Sequence, residues 1–417
     1  MEYGCIAQRL EHSFSAIIHS KLAEYNYELK ELQPEQLKLF FKKREFKAIN
    51  VTIPYKKAVM QYLDYIDPIA KKIGAVNTIV NNSGHLSGYN TDFYGMTLLI
   101  NRLGLSLDGK KVLVLGTGGT CATAEAVAES MGAALILKVS RTKKNDTIDY
   151  SEALSLHNDA QIIINTTPCG MYPQIEGCPI DVDAFTDLEG VIDAVYNPLC
   201  SRLVEKSLQK GIKAEGGLYM LIAQAVKAAE YFIGLQPDIK SIDKIYADII
   251  KEKTNIVLIG MPSSGKTTVG KALAKKLNKD FIDTDEEIKK NIGMEISDFF
   301  KLKGEKEFRK LESEVARQIS KLQNCVISTG GGMVLNQENI DFLKLNGRVY
   351  FLDRPLNRLI ATTDRPLSAT ASDLEKRYKE RYKLYLAAAE KSIDASGSIK
   401  ENAYKIKEDF LNENTYY

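Results

Sequence analysis

Two uninterrupted apolar runs, Val112-Leu113-Val114-Leu115 and Ile256-Val257-Leu258-Ile259, each lead directly into a glycine-rich loop. Apolar runs of this length that do not alternate fit strands buried on both faces, as in parallel sheets. The first loop, Gly116-Thr117-Gly118-Gly119-Thr120, is followed by Ala122 and Ala124 on a predicted helix. The second, from Gly260 to Thr267, is followed by Val269, Ala272, Leu273 and Leu277 at helical spacing. Two strand–loop–helix units about 140 residues apart predict two nucleotide-binding modules in tandem. Predicted strands at 133–139, 162–165 and 191–195, with helical spacing between them, extend the first module into a doubly wound parallel sheet. Upstream, short apolar runs at 48–53 and 75–80 alternate with helical patterns, and Asn82-Ser83-Gly84 between Val80 and Leu86 reads as a hairpin turn. A helical run over 218–232 and a charged segment over 238–253 come before the second buried strand, which puts a boundary near residue 253. The expected layout is α/β throughout: a domain over 1–98 completed by helices at about 218–250, a Rossmann-type domain over 99–217, and a P-loop domain over 254–417.

Charge and composition narrow the classes. The 417 residues carry 56 Lys+Arg against 54 Asp+Glu, a net +2, so there is no basic field of the kind that gathers nucleic acid. Hydrophobic residues at 44% and charged residues at 26% suit a globular chain. No apolar stretch approaches a membrane span, and Met1-Glu2-Tyr3-Gly4-Cys5 lacks the pattern of a secretory signal. Six cysteines without a C-x-x-C pair, with only four histidines, read as reduced thiols in a cytoplasmic protein and leave little scope for zinc.

The loop Gly260-Met261-Pro262-Ser263-Ser264-Gly265-Lys266-Thr267-Thr268 has the phosphate-cradling pattern. Its backbone N–H groups curl round a phosphate, Lys266 adds a point charge at the β/γ oxygens, and the Thr267 hydroxyl can hold Mg²⁺. Binding of a nucleoside triphosphate is expected here. Phe281-Ile282-Asp283-Thr284-Asp285 looks like a strand ending in two carboxylates. With Gly304-Glu305, Phe308-Arg309, Leu311-Glu312 and Ser328-Thr329-Gly330-Gly331-Gly332, the region from Asn255 to at least Tyr385 resembles the shikimate kinases. The resemblance implies that Asp283 positions Mg²⁺ through water and that Asp285 binds shikimate hydroxyls and helps activate the attacking one. It also implies that Arg309 and Arg381 hold the substrate carboxylate, a task that suits guanidinium forks. Gly330, Gly331 and Gly332 would bring backbone amides against the ring. Arg365, in Asp364-Arg365-Pro366-Leu367, would be the lid arginine at the transferring phosphate, and Arg358 would stack on adenine. Lys383 stands where the family has proline.

The first glycine loop is weak by itself. It gains weight from Ser140-Arg141-Thr142-Lys143 at the end of the next predicted strand, where an NAD site would offer Asp or Glu. Arg141 and Lys143 favour a 2′-phosphate, hence NADP. His12-Ser13-Phe14-Ser15, Asn50-Val51-Thr52-Ile53-Pro54-Tyr55-Lys56, Ala75-Val76-Asn77-Thr78, Asn90-Thr91-Asp92 and Asn165-Thr166-Thr167-Pro168 resemble, in order, motifs of the shikimate dehydrogenases, as do Asp193-x-x-Tyr196 and Gly216-Gly217-Leu218 through Gln224. The resemblance covers about residues 3 to 232. It implies that Ser13, Ser15, Thr52, Asn77 and Gln224 bind the substrate's hydroxyls and carboxylate, that Lys56 and Asp92 form the catalytic pair, and that Gly217 lies by the cofactor. Reduction of a ring ketone creates an alkoxide that needs a proton, and a lysine confined beside a carboxylate can exchange one. The chain departs from the family at Ala7, Glu11, Ala16, Ser20 and Ser140.

The expected function is therefore bifunctional: 3-dehydroshikimate reduced with NADPH to shikimate, then shikimate phosphorylated with MgATP. Two alternatives stay open. The first half could sense shikimate or NADP without turnover and regulate the kinase, or it could oxidise quinate as well. Small molecules are the expected partners, and a homodimer is left open.

Overall fold

The computed structural model describes residues 1–10, 14–144, 146–236, 238–360 and 370–412. They fall into two compact units, 1–197 with 201–248, and 198–200 with 249 onward. Between them the units hold three sheets.

The first sheet contains β1 (Tyr3–Ala7), β2 (Tyr27–Glu31), β3 (Ala48–Val51), β4 (Tyr65–Ile66), β5 (Thr78–Asn82) and β6 (His85–Tyr89), in the order β2-β1-β3-β5-β6-β4. Only β5 runs antiparallel to its neighbours. The turn from β5 to β6 places Ser83 at φ 53° and Gly84 at φ 96°, the pair of positive angles that a two-residue hairpin needs. Helices α1 (Ser15–Leu22), α2 (Pro34–Lys43), α3 (Pro68–Ile73) and α4 (Asp92–Arg102) accompany this sheet.

His19 of α1 is fully buried, its ring stacked on Tyr27 with centroids 3.8 Å apart and its Nδ1 hydrogen-bonded to the Tyr25 hydroxyl. Burial pushes its pKa from 6.5 down to about 3. Between those values the unfolded chain binds a proton that the folded one refuses, so stability is complete above 6.5 and drains away as pH falls towards 3. At pH 5 the loss from this group is about 2 kcal/mol. The expected result is a fall in the first unit's unfolding midpoint from pH 7 to pH 5, flattened in His19→Phe. Equal pH slopes for parent and variant in thermal melts followed by circular dichroism would refute it.

The second sheet holds β7 (Lys111–Leu115), β8 (Leu135–Val139), β9 (Ile162–Asn165), β10 (Gly190–Asp193) and β11 (Lys213–Glu215), all parallel, in the order β11-β10-β9-β7-β8. In chain order this is the 2-1-3-4-5 doubly wound arrangement, and the winding reverses between β7 and β9, where such sheets bind ligands. Helices α5 (Gly119–Ser130), α6 (Tyr150–Leu156) and α7 (Arg202–Gln209) connect the strands. The chain then returns to the first sheet through α8 (Leu218–Ile233), whose Ala228 and Phe232 pack with Ala48, Tyr3 and Val80. Helices α4 and α8 approach so closely at Gly95 that a Cβ there would lie 2.5 Å from the Met220 carbonyl oxygen. Helix α9 (Ile239–Lys253) follows.

The third sheet, β12 (Asn255–Ile259), β13 (Asp280–Asp283), β14 (Cys325–Ser328), β15 (Gly347–Asp353) and β16 (Lys391–Asp394), is parallel in the order β13-β14-β12-β15-β16. Helices α10 (Lys266–Leu277), α11 (Thr284–Ile292), α12 (Ile296–Ile319), α13 (Gln337–Lys344), α14 (Ala371–Ala388) and α15 (Ile399–Asn412) complete the unit. One apolar core joins Val257, Ile327 and Phe351 to Phe308 and Tyr385; another joins Ile256, Leu258 and Tyr350 to Leu273 and Phe410. The strand expected over 281–285 stops at Asp283. That side chain caps α11 by accepting the Asp285 N–H at 3.1 Å, so Asp285 already lies on a helix.

Candidate active sites

In the first unit a cavity of about 410 Å³ opens between the sheets, lined among others by Ser15, Thr52, Lys56, Asn77, Asp92 and Gln224. Thr52 follows β3, and its carbonyl accepts the Tyr55 N–H at 2.9 Å, which turns the chain. The Lys56 carbonyl then accepts the Val76 N–H at 2.8 Å. This brings Lys56 Nζ to 2.6 Å from Asp92 Oδ2, with both side chains largely buried. Asp92 begins α4, where the helix N-terminus favours a carboxylate. Asn77 fixes that terminus: its Oδ1 accepts the Thr91 N–H at 2.7 Å, and its Nδ2 donates to Thr91 Oγ1 at 3.0 Å. Gln224, carried in by α8, accepts from Thr91 Oγ1 at 3.3 Å and donates to the Leu221 carbonyl at 2.9 Å.

Ser13 lies outside the described residues. Sequence reasoning gave no role to Thr91, Asn50 or Tyr27. Thr91 is the hub between Asn77 and Gln224, and Asn50 accepts from the Tyr27 hydroxyl at 2.7 Å and donates to Thr78 Oγ1 at 3.2 Å. Both Thr91 and Asn50 stand in the quoted motifs, which is the signal that could have found them; both are buried, and Asn50 lines the cavity.

Across the cavity, Thr166, Thr167 and Gly217 form part of the wall. Asn165 Oδ1 accepts from Thr167 N–H at 3.0 Å and its hydroxyl at 2.7 Å, while its Nδ2 donates to Asp193 Oδ1 at 2.8 Å. Burial raises the Asp193 carboxyl to about 6 against the pull of these hydrogen bonds. Gly116 sits at φ 118°, where a Cβ would lie 2.7 Å from Thr166 Oγ1; only glycine lets the loop pass so close to β9. Thr120, in the first turn of α5, reaches the 410 Å³ cavity.

Thr117 and Gly118 line a second hollow of about 310 Å³, together with Lys57, Lys138, Lys144 and the carboxylates of Glu125 and Asp146. Ser140, Arg141, Thr142 and Lys143 lie beyond that lining at the end of β8, the last three exposed. Lys143 Nζ pairs with Glu152 at 2.6 Å. The lysines at 57, 138 and 144 were not among the expected ligands, because none belongs to the loop or to the four residues after β8.

In the second unit the loop after β12 has Ser263 at φ 64° and Gly265 at φ 96°, which turns successive N–H groups inward. Lys266 Nζ donates to the Gly260 and Met261 carbonyls, both at 2.9 Å. Thr267 Oγ1 donates to Asp283 Oδ2 at 2.7 Å, Thr268 Oγ1 to the Gly265 carbonyl at 3.0 Å, and Ser263 Oγ to the Ile360 carbonyl at 2.7 Å. Ser264 Oγ is buried without a hydrogen-bond partner among the described residues. Pro262 belongs to a neighbouring cavity of about 600 Å³ that also takes in Asp285, Arg309, Gly330, Gly332 and Arg381.

In that cavity Arg309 pairs with Glu305 at 2.6 Å and with Glu312. A Cβ on Gly332 would overlap the Arg309 guanidinium, and one on Gly330 would lie 2.6 Å from Asp285 Oδ1. Arg381 is buried and donates to the Gly331 carbonyl at 2.9 Å, beside the Tyr385 hydroxyl, which donates to the same oxygen at 2.6 Å. Glu312 had been given no role. It is almost wholly buried, and desolvation raises its carboxyl pKa while Arg309 lowers it. Arg358 donates to the Ser396 carbonyl at 2.7 Å; Arg365 lies outside the described residues.

The oxygen donors Thr267 and Asp283 fit a hard divalent cation such as Mg²⁺, and the Gly116–Gly119 turn at the start of α5 fits a pyrophosphate. No described helix is long and apolar enough to cross a membrane.

Comparison with known proteins finds one family model matching in each unit. The family model described as shikimate dehydrogenase substrate binding domain matches residues 5–79, and that for shikimate kinase matches residues 262–411. A shikimate dehydrogenase (NADP(+)) of Clostridium beijerinckii is 37% identical over 260 residues, covering 59% of this chain and 96% of its own. A chorismate mutase/shikimate 5-dehydrogenase fusion protein from Clostridium acetobutylicum matches with a TM-score of 0.56 at 33% identity, over 59% of this chain and 96% of its own. The Thermus thermophilus shikimate 5-dehydrogenase in complex with NADP(H) and shikimate matches with a TM-score of 0.53 at 26% identity, over 60% and 99%. The cavity around Lys56 and Asp92 thus sits in a chain that belongs to the shikimate dehydrogenase family and carries a shikimate kinase domain in the same polypeptide.

Proposed function

We propose that the first unit reduces 3-dehydroshikimate to shikimate with NADPH and that the second phosphorylates the 3-hydroxyl of shikimate with ATP. The working domains in this reading are 1–98 completed by 218–250, 99–217, and 254–417. The observation that carries it is the buried Lys56–Asp92 pair at 2.6 Å, facing a cavity with Asn77 and Gln224 on its wall.

NADPH, when bound, supplies the hydride. Lys56 holds a proton at Nζ and delivers it to the ketone oxygen as charge develops there, and Asp92 keeps that ammonium oriented. Ser13, Ser15, Thr52, Asn77 and Gln224 hold the ring's carboxylate and hydroxyls. The loop from Gly116 to Thr120 receives the pyrophosphate, with Gly217 beside the cofactor. Arg141, with Ser140, Thr142 and Lys143, receives the 2′-phosphate.

In the second unit Asp285 binds the acceptor hydroxyl and takes its proton, while Arg309 and Arg381 hold the carboxylate. The loop from Gly260 to Thr268 cradles ATP, with Lys266 at the phosphates, Arg358 at the base and Arg365 at the transferring group. Thr267 would hold Mg²⁺ directly and Asp283 through water, where the cation neutralises phosphate charge. The six cysteines are free thiols, in keeping with the cytoplasm as the place where both reactions run.

The test is the initial rate of NADPH oxidation with 3-dehydroshikimate, ATP omitted. A ketone-dependent rate that collapses with NADH is expected. No rate, from protein that still phosphorylates shikimate, would overturn the first half of the reading and leave a sensing module.

A further inference from the structure

Asp353-Arg354-Pro355-Leu356, at the end of β15, has the same four residues as 364–367, eleven positions later. The resemblance to shikimate kinases gave a role to the arginine of the later copy alone. Strand β15 lies directly beside β12, so its C-terminal end opens into the crevice where this sheet order reverses, the place where parallel α/β sheets bind ligands. Asp353 is spent on structure, its Oδ2 accepting the Tyr382 hydroxyl at 2.9 Å. Arg354 is not. It lines a hollow of about 300 Å³ together with Gly265, Lys266, Thr267, Asp283 and Asp285. Its Nε is buried with no hydrogen-bond partner among the described residues.

Arg354 adds a second cation to the wall that already holds Lys266, and a guanidinium beside an ammonium in one hollow suits a multiply charged anion such as a phosphate. The wall shared with Lys266 and Asp285 spans the path from the phosphate loop to the proposed acceptor base. We propose that Arg354 is a phosphate-binding residue of the kinase site, fixed at the end of the sheet, that donates to the terminal phosphate of the bound nucleoside triphosphate. Its charge grows in value as that phosphoryl group moves towards the acceptor, because electrostatic stabilisation at the transferring group carries most of such catalysis. Arg354 follows directly on β15, so the sheet itself sets where its backbone lies. This assignment rests on the kinase reading above for the identity of the acceptor, but not for the binding of the triphosphate.

The test uses the full chain and two variants, Arg354→Gln and Arg354→Lys, with binding of ADP and of the non-hydrolysable triphosphate AMP-PNP measured calorimetrically with Mg²⁺, alongside shikimate phosphorylation. In Arg354→Gln, AMP-PNP is expected to bind about tenfold more weakly than to the parent, ADP within about threefold, and kcat to fall by about two orders of magnitude with the shikimate KM little changed. Arg354→Lys, which keeps the charge but loses the fork, should recover part of the AMP-PNP affinity. AMP-PNP affinity and kcat within threefold of the parent would overturn the assignment. So would equal weakening of ADP and AMP-PNP, which would put Arg354 on an inner phosphate or on the fold. A parent protein that discriminates AMP-PNP through Arg354 yet never phosphorylates shikimate would uphold the residue's role and sink the acceptor.

Discussion

Lys56→Met is expected to slow 3-dehydroshikimate reduction by about a thousandfold, the scale of a lost general acid, while shikimate phosphorylation by the same protein proceeds at the parent rate. Methionine keeps most of the stem volume, so the cavity wall is preserved and the change removes the proton and its charge. Its partner is then stranded: Asp92 loses its ion pair at 2.6 Å in a site where both side chains are about nine-tenths hidden from water. Some destabilisation of the first unit should accompany the loss of rate, because breaking a buried pair leaves one charge uncompensated. Stopped-flow or steady-state NADPH oxidation reads the effect. A variant that keeps more than about a tenth of the parent rate would remove Lys56 from the chemistry.

Asp285→Asn is expected to lower kcat of shikimate phosphorylation by a comparable factor of about 10³, with the first reaction unaffected. The amide matches the carboxylate in shape and still fits against Gly330, where Asp285 Oδ1 leaves no room for a side chain. What it loses is the ability to accept the hydroxyl proton. ADP release with saturating MgATP measures it, and a kcat within tenfold of the parent would move the base elsewhere in the cavity.

Much of the fold was legible because each glycine loop is local: a buried strand, a glycine turn and a helix occupy consecutive residues. The pairing of Lys56 with Asp92, 36 residues apart, was legible only through the resemblance, since nothing in the spacing brings a loop after β3 to the start of α4. Strand ends were placed less well. The carboxylates of Asp283 and Asp285 looked like one strand, yet the first caps the helix that carries the second. Glu312 escaped notice because α12 is rich in Glu and Lys, and only packing distinguishes the buried acid from Glu307 and Glu314 on the same helix. The two-residue β4 has too few positions to show a period. Around the Gly116–Gly119 loop, Lys138 and Asp146 pair at 2.6 Å through a fold-back after β8 that no periodicity announces.

The return of α8 to the first sheet has a consequence for biosynthesis. Ala48 and Val80 leave the ribosome early, but Ala228 and Phe232, which cover them, are added more than a hundred residues later. At ordinary elongation rates that interval is on the order of ten seconds. Throughout it the nascent chain displays an aromatic and aliphatic face built from Tyr3, Tyr25 and Val80, and these long-range contacts make its closure slow. A fragment stopped near codon 100 lacks Ala228 and Phe232, so it encodes a lobe whose apolar face has no cover.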